Sequence, residues 1–556
     1  MFKKLICALA TSAVVVAAPG TQTKRDTPSV TLPQGVAQGT TTTLPSATSP
    51  VHKYLGIPFA QSPPPRFEPA LPLEGESSEM IDATQWKHKC IQTSNGSTRN
   101  VDQEPDDDED CLYVNVYAPE NALEVGNKTV LVWIYGGALQ TGNAGRSDYD
   151  GSSFAANQDI ILVSFNYRLN VFGFSNAPSL DATQTNVGFH DQRLALDWIK
   201  NNIAAFGGDP AKITIMGESS GAASVDRLLL NPPEGTPFRA AIMQSGQASL
   251  SPLADDDGVS KWQNLVTEVG CATSNITDEQ YACMKEVDAT VIRDAVEKLS
   301  LSFFPVNDNV TQTATPLKDA IKDGKGAQVP LLMGTNTHEG SVFIQPYLEN
   351  AIGDDGKLNT TQLTAVIEDF GVLPSGFTTL IKTFLDSLLL VSADHLLNSL
   401  SNLVTSLVFK CPASEIAHAH LDAGKTVYRY SFAPTYNDTQ LDKVIPEIGI
   451  KNIGAYHAAE IPIVFGTYDT YQSVAPATDH EIQMSKFMQT AWANFAKDPT
   501  SENAPGWNPV NHWRINDIAC LGCVENSTGL TTKSELEIDG DCLVLNNFYT
   551  ASKPLF

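Results

Sequence analysis

Five apolar runs of four to six residues punctuate the chain: Val130 to Tyr135, Ile160 to Phe165, Ile213 to Met216, Ala240 to Met243 and Val329 to Met333. They are apolar throughout rather than alternating, which is the pattern of strands covered on both faces. The cover has to come from helices, and the sequence between the runs supplies helical spacing. From Asp191 to Phe206, the residues Leu194, Trp198, Ile199 and Ile203 recur at helical intervals, and Gly207-Gly208-Asp209-Pro210 offers a stop. Strands alternating with helices predict an α/β fold with a central, mostly parallel sheet flanked by helices. At 42% apolar and 18% charged residues there is material for a large core. No internal repeat or low-complexity linker divides the sequence after the amino-terminal region, so residues 26–556 read as one domain.

The segment Gly217-Glu218-Ser219-Ser220-Gly221 lies between the run Ile213–Met216 and a helical stretch from Ser220 to Leu230. Glycine-x-serine-x-glycine in a strand-to-helix setting makes a sharp turn that lifts the serine hydroxyl clear of the sheet. Side chains in place of the glycines would strike the adjacent strand and helix. Ser219 is the candidate nucleophile. Its attack on a carbonyl creates an oxyanion, which needs N–H donors already in place. Ser220, the residue after the nucleophile, is one candidate donor. Gly137 and Ala138, in the glycine turn after the run Val130–Tyr135, are the others; alternatively that segment is a plain strand-to-helix turn.

Sites of this kind carry serine, carboxylate and histidine in that chain order. Ten histidines are present, and His457 sits among small residues, between Gly454-Ala455-Tyr456 and Ala458-Ala459-Glu460, in a setting that suits an imidazole on a loop. His418 and His420 fall on an expected helix and read as surface or packing residues. Glu339 lies just past the run that ends in Met333-Gly334, at the strand end where such sheets build their sites. In the expected reaction His457 takes the Ser219 proton and returns it to the departing alcohol, while Glu339 orients the imidazole and stabilises the imidazolium. Water then repeats the cycle. No nucleotide loop or metal-ligand cluster stands out, and this chemistry needs no cofactor and no metal. The leucine-rich stretch Leu380 to Phe409 reads as amphipathic helices, either an insertion over the active site or ordinary packing.

Lys3-Lys4 followed by an apolar run from Leu5 to Ala18 makes a secretory signal peptide, shorter than the roughly 20 residues of a membrane-spanning helix. Residues 1–18 are the expected signal. Lys24-Arg25 is either a second processing point, extending removal to 25, or two solvated charges. Nine cysteines become eight without Cys7, and seven Asn-x-Ser/Thr sequons occur, at Asn95, Asn127, Asn275, Asn309, Asn359, Asn437 and Asn526. Both features fit an exported, extracellular glycoprotein. A net charge of −27 and pI near 4.6 repel phosphate backbones, so nucleic acid is not an expected partner; neither is stable membrane insertion. The run Asp106 to Asp110 reads as a solvated acidic loop.

These residues resemble the type-B carboxylesterase/lipase family, which includes the cholinesterases, over nearly the whole mature chain. The similarity runs through Leu55-Gly56-Ile57-Pro58-Phe59-Ala60, Glu109-Asp110-Cys111-Leu112-Tyr113-Val114-Asn115-Val116, Phe206-Gly207-Gly208-Asp209-Pro210 with the segment around Ser219, Gln244-Ser245-Gly246, the segment around Glu339, and His457-Ala458-Ala459-Glu460. The resemblance implies an α/β-hydrolase fold, ester hydrolysis, a glutamate as the third catalytic member, and the disulfides Cys90–Cys111 and Cys271–Cys283. Cys411 resembles a third family cysteine, with Cys520, Cys523 and Cys542 as open partners. Two departures stand beside the nucleophile: Ala138 where most relatives have glycine, and Ser220 where alanine is usual. The 20 residues between Cys90 and Cys111 hold no aromatic residue, so the loop carries neither a tryptophan for a quaternary ammonium nor an amphipathic lid. The expected substrates are small-molecule esters of short to medium chain length. The alternatives are a triacylglycerol lipase or sterol esterase of the family, and a non-catalytic adhesion relative.

Overall fold

Each of the five apolar runs contributes to a strand of one eleven-stranded sheet, with Tyr135, Ile160, Val329 and Pro330 just outside the strand ends. In the computed structural model, residues 27–543 are described except 94–104, 248–256, 274–277, 314–319, 345–392, 440–452, 514–516, 524–529 and positions 46, 48, 322, 438 and 472. In chain order the strands of the sheet are β1 (Thr40–Thr42), β2 (Val51–Pro58), β3 (Tyr113–Pro119), β4 (Lys128–Ile134), β5 (Ile161–Phe165), β6 (Gly208–Glu218), β7 (Ala240–Gln244), β8 (Leu331–Asn336), β9 (Val427–Phe432), β10 (Ile518–Leu521) and β11 (Leu530–Lys533). Their spatial order is β11-β10-β9-β8-β7-β6-β4-β5-β3-β2-β1. The run from β10 to β5 is parallel, with antiparallel strands at both edges.

That order positions the site. The chain steps outward from β4 to β5, crosses back to β6 on the other side of β4, and then lays each strand outside the last as far as β10. At such a reversal the connections leave the sheet in opposite directions and a crevice opens at the carboxyl ends. Register keeps those ends level: Gly217 pairs with Ile134, Glu218 with Gln244, and Gln244 with Gly334.

Helices among the described residues include α1 (Val187–Asn202), α2 (Ser220–Leu230), α3 (Cys411–Asp422) and α4 (Asp479–Lys497), as well as Gly258–Glu268, Asp278–Glu286, Ala289–Lys298 and Ala393–Val404. Beyond α1 the chain tightens into a 3-10 turn, Ile203–Phe206, and stops at Gly207, whose φ of 87° is left-handed. A Cβ there would lie 2.1 Å from the Ala122 carbonyl oxygen, so glycine is required. Gly208-Asp209-Pro210, expected to belong to the stop, already forms the start of β6. α4 opens with a reciprocal capping box between Thr478 and Glu481.

β9 and β10 are strands that apolar runs alone do not reveal. β9 reads Val427-Tyr428-Arg429-Tyr430-Ser431-Phe432, and its central arginine breaks the apolar pattern although every residue is buried. Arg429 is tolerated because Asp539, on the short helix Glu535–Asp539, pairs with it in the interior. The acidic run 106–110 also departs in part from expectation. Asp107 and Asp108 pair with Lys89 and Cys90, Glu109 grips Arg66 through both oxygens, and Asp107 lies 3.4 Å from Arg293. Asp107 and Glu109 are thus held by counter-charges, while Asp106 and Asp108 are exposed, as a solvated acidic loop requires.

The two implied disulfides, Cys90–Cys111 and Cys271–Cys283, are present, and the open cysteines pair as Cys411–Cys542 and Cys520–Cys523. Of the sequon asparagines, Asn127, Asn309 and Asn437 are exposed, while Asn95, Asn275, Asn359 and Asn526 lie outside the described residues, as does the expected signal segment. Within Leu380 to Phe409, residues 380–392 lie outside the described residues. From Ala393 the chain is helical through Val404, widens into a π-helical turn at Thr405–Lys410, and continues as α3. His418 and His420 are both on α3; His420 is buried and His418 sits 2.8 Å from Glu535. No described helix is long and apolar enough to cross a membrane.

Asp191 on α1 and Arg168, just beyond β5, form a buried bidentate pair with two contacts of 2.7 Å. Removing one member leaves a buried charge without its partner, at a cost of roughly 3–5 kcal/mol. Asp191→Ala is expected to lower the unfolding free energy by on the order of 3 kcal/mol in a denaturant titration. The double replacement Arg168→Met with Asp191→Leu should cost much less.

Candidate active site

β6 ends at Glu218 and α2 begins at Ser220, which leaves Ser219 alone between them at φ 58° and ψ −128°. A non-glycine residue held there costs roughly 1–3 kcal/mol and persists only if its surroundings enforce it. The Ser219 N–H donates to the Gln244 carbonyl at 2.9 Å, and its carbonyl accepts from Ala223 N–H at 2.9 Å. The flanking glycines are forced by contact. A Cβ on Gly221 would stand 2.1 Å from the Ile134 oxygen, and one on Gly217 would stand 2.5 Å from the Gly221 carbonyl carbon. Other left-handed non-glycine residues gather around the elbow: Ala138 (57°), Leu139 (61°), Ser245 (51°) and Ala458 (72°).

His457 lies on the loop before the short helix Ile461–Phe465, and the structure brings it against two carboxylates. Its Nδ1 is 2.7 Å from Glu339 Oε2, and its Nε2 is 3.2 Å from Glu218 Oε1. Glu339 is fully buried, its other oxygen accepting from the Asn336 N–H at 2.6 Å. A third carboxylate, Glu460, is buried behind them; it accepts from the side chains of Asn336 at 2.6 Å and Gln244 at 3.0 Å. Asn336 also donates to the Tyr456 carbonyl at 2.8 Å, and Trp492 donates to Gln244 at 2.9 Å. The acid loop, the histidine loop and the backbone acceptor of Ser219 thus share one hydrogen-bonded network. Phe343 and Phe409 flank the imidazole, with ring centroids 5.2 and 4.8 Å away. Phe409 belongs to the π-helical turn.

Burial alone would depress the His457 pKa, but Glu218, Glu339 and Glu460 outweigh it and push the imidazole up to about 9. Burial and the neighbouring Glu339 charge push the Glu460 carboxyl above the usual range, favouring its protonated form.

The glycine turn after β4 runs beside the elbow. Gly137 has φ 108°, and its carbonyl accepts from the N–H groups of Gln140 and Thr141. Among the described residues none accepts a hydrogen bond from the N–H of Gly137, Ala138 or Ser220. The Cys90–Cys111 loop touches this turn through Gln92, which exchanges two hydrogen bonds with Gly142, at 2.8 and 3.1 Å. Residues 94–104 of that loop lie outside the described residues. Among the described residues, Cys411, Asp541 and Cys542 have metal-like spacing, but both sulfurs are spent on a disulfide.

The model of the Carboxylesterase family matches residues 26–528. The chain belongs to that family. It is a carboxylic ester hydrolase with the α/β-hydrolase fold. It is 33% identical to a para-nitrobenzyl esterase of Bacillus subtilis (strain 168) over 504 residues, 88% of this chain and 94% of the relative. It is 32% identical to carboxylesterase 5A of Felis catus over 537 residues, 91% and 92% of the two chains. Liver carboxylesterase 1 of Oryctolagus cuniculus is 29% identical over 508 residues, 86% and 87%.

Glu218, Glu460, Gln244, Asn336, Phe343 and Phe409 complete the surroundings of His457 in this carboxylesterase, and none of them was expected to do so. Glu218 is the first variable position of the elbow motif and Glu460 closes the segment His457-Ala458-Ala459-Glu460, so both had a signal. Phe409 had none, because its approach depends on a π turn. The carboxylate cage predicts a measurable titration. The imidazolium is expected to persist to about pH 9 in a nitrogen-15 titration. Glu218→Gln removes a charge 3.2 Å from Nε2, which lowers the pKa, so the same transition should appear at lower pH.

Proposed function

We propose that this chain is a secreted serine carboxylesterase that acts through an acyl-enzyme on short-to-medium-chain esters. Ser219 is the nucleophile, His457 the base and Glu339 its acidic partner. The observation that carries the reading is a strained elbow whose Glu218 lies 3.2 Å from Nε2 of an imidazole gripped on Nδ1 by Glu339. In acylation Ser219 Oγ bonds to the carbonyl carbon as its proton passes to His457 Nε2. The carbonyl electrons move onto oxygen, facing the N–H groups of Gly137, Ala138 and Ser220. Collapse expels the alcohol, which takes the proton from His457. Water, deprotonated by His457, then releases the acid and restores Ser219. Glu339 stays ionised and holds the imidazole tautomer.

Several features support a confined acyl site. Ala138 adds a methyl group to the turn beside the elbow, Phe343 and Phe409 crowd His457, and the Cys90–Cys111 sequence has no aromatic residue to form an oily lid. Export is supported by the amino-terminal sequence, the four disulfides and the exposed sequon asparagines.

Hydrolysis of p-nitrophenyl esters from acetate to palmitate tests the substrate reading, with a maximum expected at the short or middle chains. A maximum at palmitate, rising further at an emulsion interface, would favour a lipase or sterol esterase. Ser219→Ala should lose turnover by on the order of 10⁴-fold or more and should lose labelling by a fluorophosphonate. Folded wild-type protein that takes up no label would favour a binding relative. Because the neutral imidazole is the working base, kcat/KM should climb with pH through the His457 titration. In Glu218→Gln the climb should move to lower pH.

A further inference from the structure

Ser220 reaches the residue that follows Ala138 in the glycine turn. The Ser220 hydroxyl accepts a hydrogen bond from the Leu139 N–H at 3.2 Å, joining the first residue of α2 to the turn after β4. Both partners are buried: Leu139 is inaccessible and Ser220 is 4% exposed. The tie acts on a strained segment, since Ala138 and Leu139 are consecutive non-glycine residues at φ 57° and 61°. Side chains at left-handed φ are disfavoured, and two in succession need external restraint. The Leu139 carbonyl is restrained as well, accepting from Asn170 N–H at 2.8 Å. Tyr167 closes the remaining side: its hydroxyl donates to the Tyr135 carbonyl at 2.8 Å and neighbours the Ser220 hydroxyl. Alanine at 220 would leave the Leu139 N–H buried without its acceptor.

We infer that Ser220 is a positioning residue: its hydroxyl, by capturing the Leu139 amide, holds the Gly137–Leu139 turn in the left-handed form that aims the Gly137 and Ala138 N–H groups at the developing oxyanion. Glycine at position 138 would reach that form without strain and would need no such tie; alanine there does. The Ser220 side chain touches no reacting atom, and its backbone N–H is unchanged by substitution at Cβ. The inference rests on the proposed reading of Ser219 and the oxyanion turn.

It is tested with Ser220→Ala, Ala138→Gly and the double variant. Ser220→Ala should lower kcat about tenfold with KM within about twofold, and weaken a trifluoromethyl ketone transition-state analogue in parallel. With Ala138→Gly alone as the reference, adding Ser220→Ala should cost much less kcat than it costs in the Ala138 background. Hydrogen exchange of the Leu139 amide reads the tie without activity, and should speed by at least tenfold in Ser220→Ala. Unchanged exchange at Leu139 would overturn the inference, as would a loss of kcat equally large in the Ala138→Gly background. Failure of the underlying reading looks different: wild-type protein would then take no fluorophosphonate at Ser219, while Leu139 exchange would still respond to Ser220→Ala.

Discussion

The Ser219 backbone, forced between a strand and a helix, is the constraint on which the rest of the site depends. Its φ of 58° and ψ of −128° have no favourable local origin. They hold because α2 is pressed so closely against the turn after β4 that only glycine fits at 221, and because β7 offers the Gln244 carbonyl to the Ser219 amide. The same compression gathers strained residues from three other segments. Rigidity in the sheet is thereby converted into a fixed serine, as a preorganised site requires.

Charge is concentrated as tightly as strain. Three carboxylates lie around one imidazole in a buried setting, although the described polar network contains no arginine or lysine beside them. Neutral donors do the balancing: Asn336, Gln244 and backbone N–H groups. The result favours positive charge on His457, the state that forms during attack and that Glu339 alone would support less strongly. A base stabilised in this way works best where the solvent keeps it deprotonated at rest.

Much of this was legible in the sequence, for reasons that differ by element. β4 to β8 are buried on both faces and so read as unbroken apolar runs. β9 did not, because its Arg429 is neutralised by a residue 110 positions away, a distance over which no local pattern can reach. The elbow was readable because contact permits only glycine at two of its positions. Glu339 and His457 were readable from chain order and strand ends. Glu218, in contrast, occupied a position treated as variable, and its carboxylate matters only once the fold turns it toward Nε2. The pairing of the last cysteines needed three-dimensional proximity. So did Phe409, which the wide turn at Thr405–Lys410 directs toward the imidazole.

The Cys411–Cys542 link and the Arg429–Asp539 pair both join the middle of the chain to its last described residues. During synthesis Ser219, Glu339 and His457 leave the ribosome well before Asp539 and Cys542. Until those arrive, β9 carries an arginine with no counter-charge, and Ser406 and Lys410, which share Asp541, leave the π turn unmoored. The nascent protein therefore holds its reactive residues before it can moor the turn that carries Phe409. A chain cut before Asp539 would carry all the reactive groups with Arg429 and Cys411 unpartnered and an unsettled enclosure around them.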